Sequence, residues 1–262
     1  FITFTLLIFT INSRYWFKPK MKFLSYILSP FFLISFFLIL IVFHPLQWFS
    51  LKFISFNAYQ RIVDLMNFVL VKNLLLIGVT VKLDNPHKLP EGTPLVFVSN
   101  HQSLFDISPV SWYFRKYNPK FVSKKELGKG IPSVSFNLRN GGAALIDREN
   151  GKQAIVELAK FSKNINNKNW SAAIFPEGTR SKDGKPKTFA ANGLKIITKY
   201  NPEGYIVPLT VNNSWKVFKY GKFPFGLGSP ITIKTHTPIK ISSLPFNELA
   251  KKVERTIIKD IN

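Results

Sequence analysis

A long uncharged stretch near the start of the chain limits what the chain can fold into. It runs from Phe23 to Leu51 between Lys22 and Lys52, and its densest part, Phe31–Phe43, is almost wholly apolar. About 20 apolar residues are enough to span a bilayer as a helix. The run is long for a signal peptide, and no small-residue cleavage site follows it. This stretch is therefore predicted to associate with a membrane.

The residues around this stretch leave two membrane arrangements open. Basic residues flank both ends, so the positive-inside rule favours neither orientation of a single span. A second helical pattern covers residues 58–76, and Pro30 and Pro45 are expected to bend or break the first helix. A joint near His44-Pro45 would give a helical hairpin in one leaflet, with its basic ends at the headgroups. A plain transmembrane anchor is the alternative. The residues behind this argument are Arg14, Lys18, Lys20 and Lys22 on one side, Lys52, Arg61 and Lys72 on the other, and Trp16 and Trp48 as interfacial aromatics.

Three regions follow from these patterns. Residues 1–20 precede Met21-Lys22, which resembles a natural start, and are predicted to be an upstream extension. Residues 21–73 are predicted to form the hydrophobic hairpin, and residues 74–262 an α/β domain. In that domain strands are expected near 75–83, 94–99, 120–123, 143–146, 171–175, 205–211 and 230–234, with helices after 101, over 152–165 and 189–200, and from 245. Such alternation predicts a mostly parallel sheet flanked by helices.

Charge and composition restrict the class of function. Lys and Arg number 36 against 14 Asp and Glu, a formal net charge of +22, which requires an anionic partner: nucleic acid, an anionic membrane surface or a phosphorylated substrate. A hydrophobic content of 46% excludes intrinsic disorder. The chain has no Cys, which excludes disulfides, thiolate metal sites and Cys nucleophiles, and with only four His no multi-His metal site is expected.

A polar turn, Asn100–Asp106, follows the expected strand at 94–99. Reactive groups collect at the carboxyl ends of strands in such sheets. His101 is a natural general base near neutral pH. Asp106, five residues on, can fold back to hold the imidazole tautomer and stabilise the imidazolium. The alternative interpretation is a helix-capping turn with a hydrogen-bonded histidine.

A second polar segment, Phe175–Ser181, follows the expected strand at 171–175. Pro176 ends the ladder and Gly178 permits tight backbone geometry. Thr179, Arg180 and Ser181 supply donors suited to a phosphate, and Lys182, Lys185 and Lys187 follow. The alternative interpretation is a solvated basic loop.

Together the two segments resemble the motifs of a known family. NHQSLFD and FPEGTRS are similar to the His-x4-Asp and Glu-Gly-Thr-Arg motifs of the glycerolipid acyltransferases, above all the bacterial 1-acylglycerol-3-phosphate acyltransferases. GGAALIDR (141–148), IVPLTV (206–211) and FVSKKELGKGIP (121–132) resemble further blocks, so the resemblance covers about residues 60–235. Thr210 stands where many members have a second Pro, and Phe189–Gly193 where many have Phe-Lys-Lys-Gly, which leaves the acceptor headgroup open.

The resemblance implies a glycerol-3-phosphate acyltransferase-like fold and a specific reaction. A fatty acyl group would pass from a coenzyme A or acyl-carrier-protein thioester to the free hydroxyl of 1-acylglycerol 3-phosphate, giving phosphatidate. His101 would take the hydroxyl proton, with Asp106 orienting it. No metal and no cofactor beyond the acyl thioester is implied. The other implied roles are acceptor phosphate binding for Glu177, Thr179, Arg180, Arg148 and Lys125, and oxyanion stabilisation for Lys124 and the backbone N–H of Gly178.

Two rival functions remain at this point. One is an acyltransferase of the same family that acts on glycerol 3-phosphate or another lysolipid. The other is a basic, membrane-anchored nucleic-acid-binding protein, although no helix-turn-helix, zinc or RNA-binding signature occurs. The favoured interpretation predicts an enzyme at the cytoplasmic face of the cell membrane. Its expected partners are the anionic lipid surface, a lysophospholipid and an acyl thioester, and no nucleic acid.

Overall fold

The computed structural model describes the backbone of residues 2–262 and the side chains of residues 21–262. The predicted upstream extension and the interfacial placement of Trp16 fall outside the described side chains. The α helices are α1 (Ile2–Phe49), α2 (Phe56–Asn73), α3 (Ile107–Tyr113), α4 (Val134–Asn140), α5 (Gly151–Asn167), α6 (Ala191–Lys199) and α7 (Phe246–Lys259). Helix α4 was not predicted from the sequence.

One mixed sheet of eight strands forms the centre of the described chain. Its order is β1-β7-β6-β2-β5-β3-β4, with β8 also paired to β6. All pairs are parallel except those that β7 and β8 make with β6. The prediction of a mostly parallel sheet flanked by helices is confirmed. The strands are β1 (Val81–Asp84), β2 (Leu95–Ser99), β3 (Pro119–Lys124), β4 (Ala144–Ile146), β5 (Ser171–Ile174), β6 (Tyr205–Asn212), β7 (Ile231–Thr235) and β8 (Ile239–Lys240).

Two hydrophobic clusters, one on each side of the sheet, make up most of the core. Strand β2 is fully buried and alternates between them: Leu95 and Phe97 face the cluster beneath α1–α3, whereas Val96 and Val98 face the cluster beneath α5–α7. This alternation is the period-two pattern of a central strand. The polar turn that follows β2 therefore lies at the middle of the sheet, at the end of a strand that is packed on both faces.

The region between the two predicted membrane helices differs from the prediction. Helix α1 continues through Pro30 and Pro45 to Phe49, and the chain reverses in a π-helical turn at Ser50–Ile54 rather than at His44-Pro45. Both prolines are exposed, while neighbouring side chains of α1 are packed into the core, and such tertiary packing overrides local helix propensity. Ser55 then caps α2 by accepting a hydrogen bond from Ala58 N at 3.1 Å.

The strand expected over residues 75–83 is wrong in its first half. Leu74–Ile77 form a 3₁₀ turn that extends α2, and the strand begins only at Val81. Leu74 and Ile77 are buried three residues apart, which is the period of a 3₁₀ helix and not of a strand. Gly78, with φ of 67°, ends the turn in the left-handed conformation.

Helix α1 has one face against the α/β domain and one face exposed. Phe32 packs edge-on against Phe105 and Phe225, with ring centroids 5.6 and 5.0 Å away. The polar residues Ser25, Ser29 and Gln47 all lie on the buried face. The opposite face is exposed and apolar, as lipid contact requires, and includes Phe23, Ile27, Phe31, Ile34, Leu38 and Ile41. Residues Met21–Ile54 are long and apolar enough to cross a membrane by length and composition.

Candidate active site

The polar turn after β2 is fixed to the neighbouring strand by Asn100. The side-chain Nδ2 of Asn100 donates to Val211 O at 2.8 Å, and Val211 N donates back to Asn100 Oδ1 at 2.7 Å. Val211 lies near the end of β6, which runs parallel to β2. This reciprocal pair turns the chain out of the sheet at the carboxyl edge of β2, where His101 follows.

His101 and Asp106 are in direct contact. The Nδ1 atom of His101 lies 2.8 Å from Oδ2 of Asp106, and Asp106 is fully buried. An ionised carboxylate only accepts hydrogen bonds, so Nδ1 carries the proton and Nε2 presents a lone pair. The imidazole side chain retains 15% exposure. This is the geometry of a general base held in one tautomer by a carboxylate.

Asp106 also organises the backbone of its own turn. Its Oδ2 accepts hydrogen bonds from Gln102 N at 2.7 Å and Ser103 N at 2.9 Å. Ser103 in turn caps the following 3₁₀ turn, accepting from Phe105 N at 3.0 Å. The capping arrangement therefore coexists with the histidine contact, and one carboxylate performs both tasks.

Two further side chains immobilise this pair. Ser214 Oγ donates a short hydrogen bond to Oδ1 of Asp106 from the segment that follows β6. The ring of Phe175 stacks on the His101 imidazole, with centroids 4.2 Å apart and planes 19° apart. Rotation of the imidazole is therefore restricted from the ring face as well as from Nδ1.

The second motif lies directly beside the first. Ser181 N donates to His101 O at 2.7 Å, which joins the two loops. Gly178, with φ of 69°, adopts the left-handed conformation that the tight turn requires. Its N–H donates to Phe175 O at 3.1 Å, and its carbonyl accepts a hydrogen bond from Arg148. Arg148, predicted from a separate block, is thus brought to this loop, while the Gly178 N–H proposed for the oxyanion is engaged within the turn.

Basic side chains surround the loop. Lys187 Nζ donates to Thr179 Oγ1 at 2.9 Å and to Arg180 O at 3.0 Å. The guanidinium of Arg180 is exposed and makes no hydrogen bond or ion pair within residues 21–262. Lys124 and Lys125 are exposed at the end of β3, and within the same described residues neither is hydrogen-bonded to the two motifs. Their predicted roles remain predictions.

Glu177 differs from the other candidates because its carboxylate is buried. Neither of its oxygens has a hydrogen-bond partner within residues 21–262. Burial raises the pKa of Glu177 to about 7, and the positive charge of Lys187 opposes this rise only in part. Near neutral pH the group is therefore divided between its neutral and ionised forms, which suits a hydrogen-bonding role better than a charge-pairing one.

Some site residues were not found from the sequence. Ser214 has no motif that marks it as a partner of Asp106, although it stands shortly after the Pro-containing block IVPLTV. Lys187 was noted only as part of a basic tract, and Asn100 and Phe175 only as neighbours of the motif residues. Asn100 and Phe175 could have been identified from the sequence, because each is the first residue of one of the two motifs.

The chain is similar in sequence to known acyltransferases. The Acyltransferase family profile matches residues 80–212. The 1-acyl-sn-glycerol-3-phosphate acyltransferase of Helicobacter pylori is 34% identical over 185 residues, covering 68% of this chain and 74% of that protein. The Borreliella burgdorferi enzyme of the same name is 26% identical, with 72% of each chain covered. The chloroplastic LPAT1 of Arabidopsis thaliana is 27% identical, and the match spans 68% of this chain and 49% of that protein.

A solved structure shows the same fold. The crystal structure of the 1-acyl-sn-glycerophosphate acyltransferase PlsC from Thermotoga maritima superimposes with a TM-score of 0.76 at 23% identity. The superposition covers 92% of this chain and 96% of that one. The profile match and the H. pylori relative show that this chain belongs to the acyltransferase family.

Proposed function

We propose that this chain transfers a fatty acyl group from an acyl thioester to the free hydroxyl of 1-acylglycerol 3-phosphate, producing phosphatidate for phospholipid biosynthesis. The observation that carries the proposal is the His101–Asp106 pair, whose Nε2 side is available beside the loop that bears Arg180. The names of the relatives support the same acceptor.

The geometry supports a direct transfer. Nε2 of His101 accepts the proton of the acceptor hydroxyl as its oxygen attacks the thioester carbonyl. The imidazolium that forms is stabilised by the buried Asp106 carboxylate. When the tetrahedral intermediate collapses, the new ester forms, the C–S bond breaks, and the departing thiolate takes the proton back from His101. The step needs no covalent acyl-enzyme, in keeping with a chain that has no Cys.

Recognition of the acceptor phosphate falls to the basic loop beside this pair. Arg180 is exposed and immediately precedes Ser181, whose backbone contacts His101. A guanidinium can bind a phosphate through two parallel hydrogen bonds. Thr179, Arg148 and Lys125 contribute donors or charge, Glu177 contributes a hydrogen bond, and Lys124 is the remaining oxyanion candidate.

The same proposal places the protein at a membrane surface, with its hairpin in one leaflet. The buried face of α1 is attached to the α/β domain from Ser29, which accepts from Phe225 N at 2.8 Å, to His44, whose Nδ1 accepts from Ser133 N at 3.1 Å. A helix attached along this length cannot cross the bilayer alone without drawing the polar domain into lipid. Acyl thioesters are made in the cytoplasm, so the cytoplasmic face is the proposed side.

A panel of acceptors and donors tests the proposal. Purified protein is supplied with 1-acylglycerol 3-phosphate, glycerol 3-phosphate and other lysolipids, each with acyl-coenzyme A and with acyl-carrier protein. We expect phosphatidate from the first acceptor, lost in His101→Ala and retained in His87→Ala, which alters a histidine outside both motifs. Efficient acylation of glycerol 3-phosphate or of a phosphate-free lysolipid in its place would assign a different acceptor within the family.

A further inference from the structure

A loop of five residues, Lys219–Phe223, has no part in the catalytic proposal. Lys219, Gly221, Lys222 and Phe223 are all exposed, and Phe223 leaves 45% of its surface uncovered. Aromatic and basic side chains exposed together are typical of surfaces that contact the interfacial region of a bilayer.

The base of this loop is firmly packed, so its tip is held in one place. Phe225, two residues after the loop, is buried and donates its N–H to Ser29 Oγ on α1 at 2.8 Å. Its ring lies edge-on to Phe32 at 5.0 Å and to Phe218 at 5.5 Å. Gly226 N closes the loop by donating to Val217 O at 2.8 Å. Because the residues at the base of the loop are packed, Phe223 is held in its exposed position.

The loop is continuous with the exposed apolar face of α1. The Phe223 ring packs edge-on against Tyr26, with centroids 5.7 Å apart. Tyr220 lies between two ammonium groups: Lys22 Nζ is 5.7 Å from its centroid and Lys219 Nζ 5.0 Å. Tyr26 is itself exposed next to Phe23 and Ile27, so the apolar face of α1 extends sideways onto the loop.

We propose that the Lys219–Phe223 loop is a second lipid-contacting element, and this inference rests on the membrane location given under the proposed function. Phe223 enters the boundary between headgroups and acyl chains, and Lys219 and Lys222 face the phosphates of anionic lipids. A basic residue near an anionic leaflet strengthens attachment about fivefold. The occupant is an anionic phospholipid surface, because the lysines supply the complementary charge and the aromatic ring continues an apolar face.

The position of the loop also connects the lipid surface to the reacting groups. Ser214, which donates to Asp106, begins the same segment that ends at Phe225. Phe218, directly before the loop, stacks on Phe105 of the turn that bears His101 and Asp106, with centroids 5.6 Å apart and planes 12° apart. When the loop contacts lipid, the bilayer therefore lies close to the turn that contains Phe105 and Asp106. A lipid acceptor dissolved in the bilayer is then near His101.

Single cysteines test the proposal directly, because the chain contains none of its own. We compare Phe223→Cys with Phe31→Cys, on the exposed face of α1, and with Val156→Cys, which is 64% exposed on α5 at the other side of the sheet. Each full-length variant carries an environment-sensitive fluorophore and is reconstituted with vesicles of equal parts phosphatidylcholine and phosphatidylglycerol containing a headgroup-region spin-labelled lipid. We expect quenching at position 223 to approach that at 31 and to exceed that at 156 several-fold.

The role of the lysines has its own matched control. Adding Lys219→Gln with Lys222→Gln to Phe223→Cys should reduce quenching in the anionic vesicles, whereas Lys251→Gln with Lys252→Gln, on α7, should not. Quenching at 223 no greater than at 156 overturns the proposal, as does a fluorescence response to acyl-carrier protein that replaces the response to vesicles. Acyl transfer by the unmodified protein to acceptor in detergent micelles is measured separately: absence of transfer, with quenching at position 223 intact, would refute the proposed function and leave the loop's lipid contact standing.

Discussion

Ser214 donates a hydrogen bond to the buried carboxylate of Asp106 from 108 residues further along the chain. Asp106 thereby receives side-chain donors from both His101 and Ser214, one on each carboxylate oxygen. The segment after β6 thus holds Asp106 in place, and Asp106 in turn holds His101, the proposed general base. A carboxylate held on both oxygens cannot rotate without breaking a charge-assisted hydrogen bond.

The first prediction concerns the pair itself. His101→Ala should lower kcat by about two to four orders of magnitude, the usual contribution of a positioned general base. Asp106→Asn should also lower kcat, because an amide at this position can favour the wrong imidazole tautomer. Steady-state kinetics on folded variants, verified by circular dichroism, provide the measurement. Full activity of a folded His101→Ala protein would exclude His101 as the base.

The second prediction concerns Ser214. In Ser214→Ala the carboxylate loses a donor at Oδ1, so Asp106 is free to rotate and holds the His101 imidazole less firmly. We therefore expect about a tenfold loss in kcat/KM, mainly through kcat, with little change in KM for the acyl thioester. Ser243→Ala, at an exposed serine whose Oγ donates to Lys240 O, is the matched control. An unchanged kcat in a folded Ser214→Ala protein would show that Ser214 does not position the His101–Asp106 pair.

These two predictions show what the sequence could and could not provide. The contact between His101 and Asp106 could be predicted from the sequence, because both residues lie in one short turn after a recognisable buried strand. The hydrogen bond from Ser214 to Asp106 could not be predicted, because it depends on how β6 lies beside β2 and leaves no local sequence pattern. The continuation of α1 through Pro45 was missed for a related reason: local propensity disfavours it, and only packing of Leu40 and Phe43 against other helices compensates.

The third prediction concerns the acceptor phosphate. Arg180→Ala should raise KM for 1-acylglycerol 3-phosphate by about tenfold or more, with a much smaller change in KM for the acyl thioester, because in the proposed function Arg180 binds the acceptor phosphate alone. Arg180→Lys should recover part of the affinity. Arg255→Ala, at an exposed arginine on α7, serves as the control. Equal changes in both KM values would mean that Arg180 serves the donor or the structure of the loop.

The fourth prediction concerns Glu177 and pH. Burial raises its pKa in the folded protein from an ordinary value of 4.5 to about 7, so the folded state binds more protons than the unfolded state between these values. Stability contributed by this group therefore falls as pH rises from 4.5 to 7. Glu177→Gln should unfold at a higher temperature than the unmodified protein at pH 8, by a few degrees or on the order of 2 kcal/mol. The difference should disappear near pH 4.5.

Thermal unfolding followed at several pH values provides the measurement, with Glu248→Gln as a control at an exposed carboxylate. The sign of the change with pH is the diagnostic result. If Glu177→Gln were less stable than the unmodified protein at pH 8, the carboxylate would have to be paired with a positive group in the folded protein, contrary to its unpartnered burial.

The last prediction concerns the membrane topology. If α1 and α2 lie in one leaflet, both ends of the pair stay on the side of the α/β domain. Cysteines introduced singly near Lys18 and near Lys52 should then react with an impermeant thiol reagent from the same face of sealed vesicles. The contacts that join α1 to the domain at Ser29 and His44 favour this outcome, because a perpendicular span would break them. Labelling of the two positions from opposite faces would establish a transmembrane anchor, and α1 would then have to detach from the domain on entering the bilayer.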